Sequence, residues 1–81
     1  MLSKKELKKQ IKEKKFNIHV NNCILSDLRK SNTQKNHAYE QLIINEAYLK
    51  QYEHDLKIIE AIDLIIDRFK MRQLKEQFKN V

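Results

Sequence analysis

The chain has 81 residues, 17 Lys+Arg against 11 Asp+Glu, one Cys, and neither Gly nor Pro. At that length there is room for one domain with a modest core, so a large enzyme core is excluded and self-association or a partner is a common source of further stability. Without Gly or Pro, the tight hairpins of a multi-stranded sheet are disfavoured, and neither a Walker A loop nor a dinucleotide fingerprint can exist.

A lone Cys cannot form an internal disulfide, which fits a reducing compartment. The first 15 residues hold no apolar block, so no secretory leader is expected. The most apolar stretch, Leu56 to Phe69, carries Lys57, Glu60, Asp63, Asp67 and Arg68 and is too short and too charged to span a bilayer. The expectation is a soluble, cytoplasmic, all-α protein. Fourteen Lys against three Arg, with ten Ile and seven Asn, is the bias of AT-rich codons. It points to a low-GC bacterium, or to a phage or mobile element acting in its host's cytoplasm.

Ser3 followed by Glu6 has the form of a capping box, which starts a first helix spanning about 3–30. Leu7, Ile11, Ile18, Leu25 and Leu28 then recur at helical spacing. Phe16 to Val20 alternates apolar and polar residues, so a short strand competes there, but a single strand would leave its backbone groups unpaired and helix is preferred. Asn21 and Asn22 mark a candidate bend. Residues 31–36 lack any apolar side chain and read as the turn, with Ser31 and Gln34 able to form a second capping box.

From about 36 to 79 a second, long helix is expected. Glu46, Glu53, Glu60 and Asp67 repeat every seven residues as a solvated face, with Lys50 and Lys57 placed to pair at i,i+4. Ile44, Ala47, Tyr48, Ile58, Ile62, Ile65 and Phe69 lie opposite. Leu42, Leu49, Tyr52, Leu56 and Ile59 follow a 3-4 spacing on the adjoining side. This surface is broader than one neighbouring helix covers, so the expected fold is an antiparallel two-helix hairpin that dimerises into a bundle. Its predicted interface is Leu49, Tyr52, Leu56, Ile59, Ile62, Ile65, Ile66 and Phe69. Beyond Phe69 the apolar positions move round to Met71, Leu74, Phe78 and Val81, which suggests a bend near Lys70.

Charge alternates along the chain: +5 over residues 1–15, +2 over 16–39, −5 over 40–67 and +4 over 68–81. One reading is contact with nucleic-acid phosphates by Lys4, Lys5, Lys8, Lys9, Lys12, Lys14, Lys15, Lys70, Arg72 and Lys75, a salt-sensitive and largely sequence-independent attraction. The other pairs the Lys-rich helix with the acidic one and leaves the remainder for solubility. Lys in place of Arg weakens the case for base readout. Residues 70–79 could lie on an anionic membrane surface, but too few apolar side chains would insert.

Catalytic chemistry finds little support. His19 and Cys23 share a helix face but make only half a metal site, and Cys23 beside Ile24 and Leu25 reads as a small buried hydrophobe. His54 and Asp55 are adjacent and point in different directions. No Glu lies three before any His, as a di-metal carboxylate bundle requires. Asp55 and Asp63 fall near apolar faces and read as edge or register positions. Tyr39, Tyr48 and Tyr52 read as core or interface aromatics. No enzyme, cofactor or metal is expected. The function expected is a non-enzymatic protein-interaction module, a small regulator or inhibitor binding a host or phage protein. Nucleic-acid binding is the alternative.

Overall fold

The structure, a computed structural model, describes residues 2–79. Val81, the last of the expected apolar tail positions, lies outside the described residues. The described chain is all-α: helix α1, Lys4–Ser26, and helix α2, Asn32–Lys79, folded back on each other as an antiparallel hairpin. Residues 16–20 are helical, and α1 passes through Asn21 and Asn22 without interruption, as α2 does through Lys70.

Local chemistry sets the ends. Ser3 Oγ accepts from the backbone N–H of Glu6 at 3.2 Å, and the Ser3 carbonyl accepts from the N–H of Leu7 at 2.8 Å. These bonds satisfy donors that a helix start otherwise leaves without partners. At the other end of α1, Asp27 turns extended with φ −83° and ψ 111°, and its N–H donates to the carbonyl of Ile24 at 3.2 Å. Its carboxylate accepts from the N–H of Arg29 at 2.9 Å. Lys30 N–H then closes on the Asp27 carbonyl at 3.2 Å. Such local side-chain bonds compete with the helix and end it.

The turn therefore occupies 27–31, not 31–36, and the helices run 4–26 and 32–79 instead of about 3–30 and 36–79. The physical reason is the second capping box. Ser31 Oγ accepts from Gln34 N–H at 3.2 Å while Gln34 Oε1 accepts from Ser31 N–H at 2.9 Å. The polar run after Ser31 is the first turn of α2, not the loop before it. Both directions of the box are closed here, which stabilises the start by about 1 kcal/mol.

At 1.5 Å per residue α1 is about 34 Å long and α2 about 72 Å. The molecule is accordingly a rod of 74 × 16 × 14 Å. The hairpin seam is thin. Leu7 is fully buried and Ala38 nearly so, and the third buried side chain is polar: Asn45, 6% exposed. Its Oδ1 accepts from Asn17 Nδ2 at 3.3 Å across the seam, and its Nδ2 donates to the carbonyl of Gln41 at 2.6 Å. A buried Asn in a helical seam fixes register at the expense of stability, because any slip leaves the amide without a partner. Two further contacts bridge the helices: Lys14 Nζ lies 5.4 Å from the Tyr48 ring centroid, and Lys4 pairs with Asp63 at 3.6 Å.

Candidate protein-interaction surface

Ala38, Leu42, Asn45, Leu49, Tyr52, Leu56 and Ile59 recur at 4-3 spacing along α2, from before the bridge at Asn45 to just short of the one at Asp63. All are buried or half-buried. The face that covers them is α1. Four of the eight residues expected at a dimer interface, Leu49, Tyr52, Leu56 and Ile59, thus belong to the seam within the chain.

The other four, Ile62, Ile65, Ile66 and Phe69, are exposed, Ile65 by 65% and Phe69 by 59%. They lie where α1 runs out. Lys4, the first residue of α1, reaches Asp63, and every described side chain from Glu60 to Phe78 is exposed. Residues 64–79 project about 24 Å past α1 as a lone helix.

The outward surface continues back along the hairpin. Ile44, Tyr48, Ile58 and Ile62 are also exposed, and with Ile65 and Phe69 they keep the 3-4 rhythm of a second seam, one position round the helix from the first. Its interior polar positions, Gln51 and Asp55, bond each other, Gln51 Nε2 donating to Asp55 Oδ1 at 3.0 Å. Tyr48 and Tyr52 stack at 5.9 Å between centroids, 21° from parallel, bridging the two seams. Tyr39 and Tyr48 are exposed, so neither serves as a core aromatic within the chain. Ile43 and Leu64 add to the exposed apolar surface from outside the heptad positions, where periodicity carries no signal for them.

The exposed area can be set against a standard. The chain presents 7028 Å² to solvent, whereas a compact monomer of 9.8 kDa presents about 5,200 Å². The excess, about 1,800 Å², is more than the roughly 800 Å² that one partner contributes to a standard protein–protein interface.

The lysines of α1 spread round its outer surface. Lys4, Lys5, Lys8, Lys9, Lys12 and Lys15 are exposed and Lys14 is half-buried over Tyr48. Lys70, Arg72 and Lys75 lie on the projecting part of α2, beyond the N-terminal end of α1. Among the described residues the single ion pair between the helices is Lys4 to Asp63, and it is half-exposed, worth up to about 1 kcal/mol. Glu46 with Lys50 and Glu53 with Lys57 do not close to ion-pair distance. The expected neutralisation of α1 by the acidic helix is therefore slight.

Cys23 is exposed, not buried, because the inner face of α1 at that level is carried by Asn21, Ile24 and Leu25. His19 Nε2 stands 3.7 Å from its sulfur on the same exposed face. Asp63 is an exposed edge position, and Asp55 a half-buried one. Asp27 is the titratable group whose surroundings act most clearly. The Arg29 guanidinium, then the Arg29 N–H, hold its carboxyl below the usual carboxylate range. The guanidinium reaches both carboxylate oxygens, at 3.2 and 3.3 Å.

A groove of about 380 Å³ lies between the helices beside Lys14, Asn17, Gln41, Asn45 and Tyr48. Its lining is amide-rich, with one ammonium and one phenol. A shallow apolar depression of about 330 Å³ lies on the outward stripe at Ile44, Ala47, Tyr48 and Gln51. No described helix is long and apolar enough to cross a membrane. Compared with family models, curated proteins and solved structures, the chain has no match.

Proposed function

We infer that the protein is a non-enzymatic helical interaction module, a small regulator or inhibitor from a phage or mobile element, that works by docking the outward stripe of α2 on a protein. The observation that carries this reading is the unpartnered apolar line Ile44, Tyr48, Ile58, Ile62, Ile65 and Phe69, continued onto a helix that overhangs its own hairpin. An amphipathic helix laid against an apolar groove is a common mode of recognition, read as anchors at i, i+3, i+4 and i+7. A second copy is the simplest occupant, which makes the protein a homodimer.

The test is Ile62→Glu with Phe69→Glu. Both side chains are exposed in the single chain, so its helicity by circular dichroism is expected to persist while the mass by light scattering falls to half of the wild-type value. A double variant that keeps the wild-type mass and still captures its partners would overturn the stripe as the docking surface.

A second reading has its own observation: six exposed lysines on α1, of which, among the described residues, only Lys4 has an acidic partner. These favour sequence-independent contact with nucleic-acid phosphates. Anisotropy of a labelled duplex and a labelled single strand, titrated at several salt concentrations, checks it. Affinity falling steeply with salt, and lost in Lys5→Gln/Lys8→Gln/Lys9→Gln, is the expected result, and no binding at low salt refutes it.

A further inference from the structure

Two adjoining elements can exchange between copies when their shared contacts need no change and the hinge between them can straighten. Both conditions are met here. The seam positions of the two helices are in phase: Leu7 and Asn21 of α1 and Leu42 and Leu56 of α2 are separated by multiples of seven residues, and so are Asn17 and Asn45. On one continuous helix these residues would fall along a single stripe, as in a coiled coil. The turn does not interrupt that stripe. Leu28, 93% exposed and the most exposed of the described large apolar side chains, occupies the seam phase seven residues after Asn21 and fourteen before Leu42.

The hinge has no obstacle to becoming helix. It contains neither Gly nor Pro, and none of the described residues has a positive φ. Its middle is Leu28, Arg29 and Lys30, all good helix formers. What holds it bent is local: the Asp27 carboxylate on Arg29 and the Ser31–Gln34 box.

We propose that the hairpin opens at 27–31 into one helix and exchanges α1 with a second copy of the chain, giving a long antiparallel two-helix dimer. The register supplies the symmetry axis. Asn17 stands opposite Asn45 and Lys14 opposite Tyr48, and both pairs have Ser31 as midpoint. Two straightened chains related by a two-fold at Ser31 therefore remake each of these contacts between copies. Exchange also takes Leu28 from solvent into the seam and brings Asp27 of one copy level with Lys35 of the other. The outward stripe of α2 takes no part, so the exchange is independent of the docking surface proposed above and leaves it free.

Size discriminates the forms. A closed hairpin is 74 Å long. A continuous helix over 4–79 is about 114 Å. Because the two-fold at Ser31 offsets the two helices, their far ends lie about 144 Å apart, about 72 Å on each side of the axis. Small-angle scattering with light scattering across a concentration series is expected to show a mass at least doubled together with a maximum dimension near that value. Leu28→Pro supplies the control. Asp27 already has the extended backbone that a following Pro requires, and the second position of a turn closed by Lys30 on Asp27 suits Pro, whereas a continuous helix does not tolerate it. The variant is expected to keep its helicity and to lose the long dimer. A wild-type protein whose length stays near the hairpin value, whatever its mass, overturns the exchange. A dimer unchanged by Leu28→Pro but dissociated by Ile62→Glu/Phe69→Glu also overturns it, while leaving the stripe reading in place.

Discussion

The amide pair at the centre of the seam makes a quantitative prediction. Asn45→Ala removes an acceptor from Asn17 and the donor to the Gln41 carbonyl, at one of the three buried side chains. Each neutral hydrogen bond contributes about 0.5–1.5 kcal/mol net, and an amide left without a partner adds up to about 1–3 kcal/mol according to how well water can reach it. Asn17 is half-buried and the bond to it is long, so the lower part of both ranges applies. The single variant should lose about 1–2 kcal/mol. With a urea m-value of about 1 kcal/mol/M for so small a protein, the midpoint should fall by about 1–2 M. The decisive quantity is the coupling. A cycle of Asn17→Ala, Asn45→Ala and the double variant, followed by circular dichroism, should return about 0.5–1 kcal/mol between the two sites. Additivity to within about 0.3 kcal/mol would refute the claim that this pair sets the register.

Three further outcomes follow from single contacts. Leu7→Ala, at the fully buried end of the seam, should destabilise by about 2–3 kcal/mol in the same assay, near the low end for buried leucines because a two-helix seam can collapse round the gap. Ser31→Ala opens the capping box and should remove about 1 kcal/mol, with the loss of amide protection in hydrogen exchange confined to the first turn of α2. The Asp27 carboxyl is held low by Arg29, so its contribution to the turn is fully present above about pH 4, the ordinary value, and is lost as pH falls through the depressed one. Asp27→Asn should abolish that part of the acid dependence, and an unchanged acid titration would show that the turn does not rely on the carboxylate.

The parts of this fold written in short-range chemistry are legible from the chain alone. Ser3 before Glu6 and Ser31 before Gln34 announce both helix starts, and the absence of Gly and Pro leaves helix as the main regular structure. The turn was displaced because polar side chains at 32–36 look like loop but serve as a helix's first turn, whereas Leu28 sits in the loop and looks like helix. Asn45 stands at the 3-4 position between Leu42 and Leu49, where a polar side chain carries no apolar periodicity to mark it as part of the seam. Which of two apolar stripes faces α1 was not readable locally, because both keep the heptad rhythm. The choice is made by pairs distant in the chain, Asn17 with Asn45 and Lys4 with Asp63.

The rod shape has a consequence for friction in solution. A compact chain of this length has a radius of gyration of about 12 Å, whereas this one has 21.0 Å. A single hairpin therefore diffuses and sediments slowly for its 9.8 kDa and leaves a sizing column early, ahead of a globular protein of the same mass and so at a raised apparent mass. The gap between that apparent mass and the mass from scattered light is set by elongation alone, and it widens when two chains join end to end and narrows when they pack side by side.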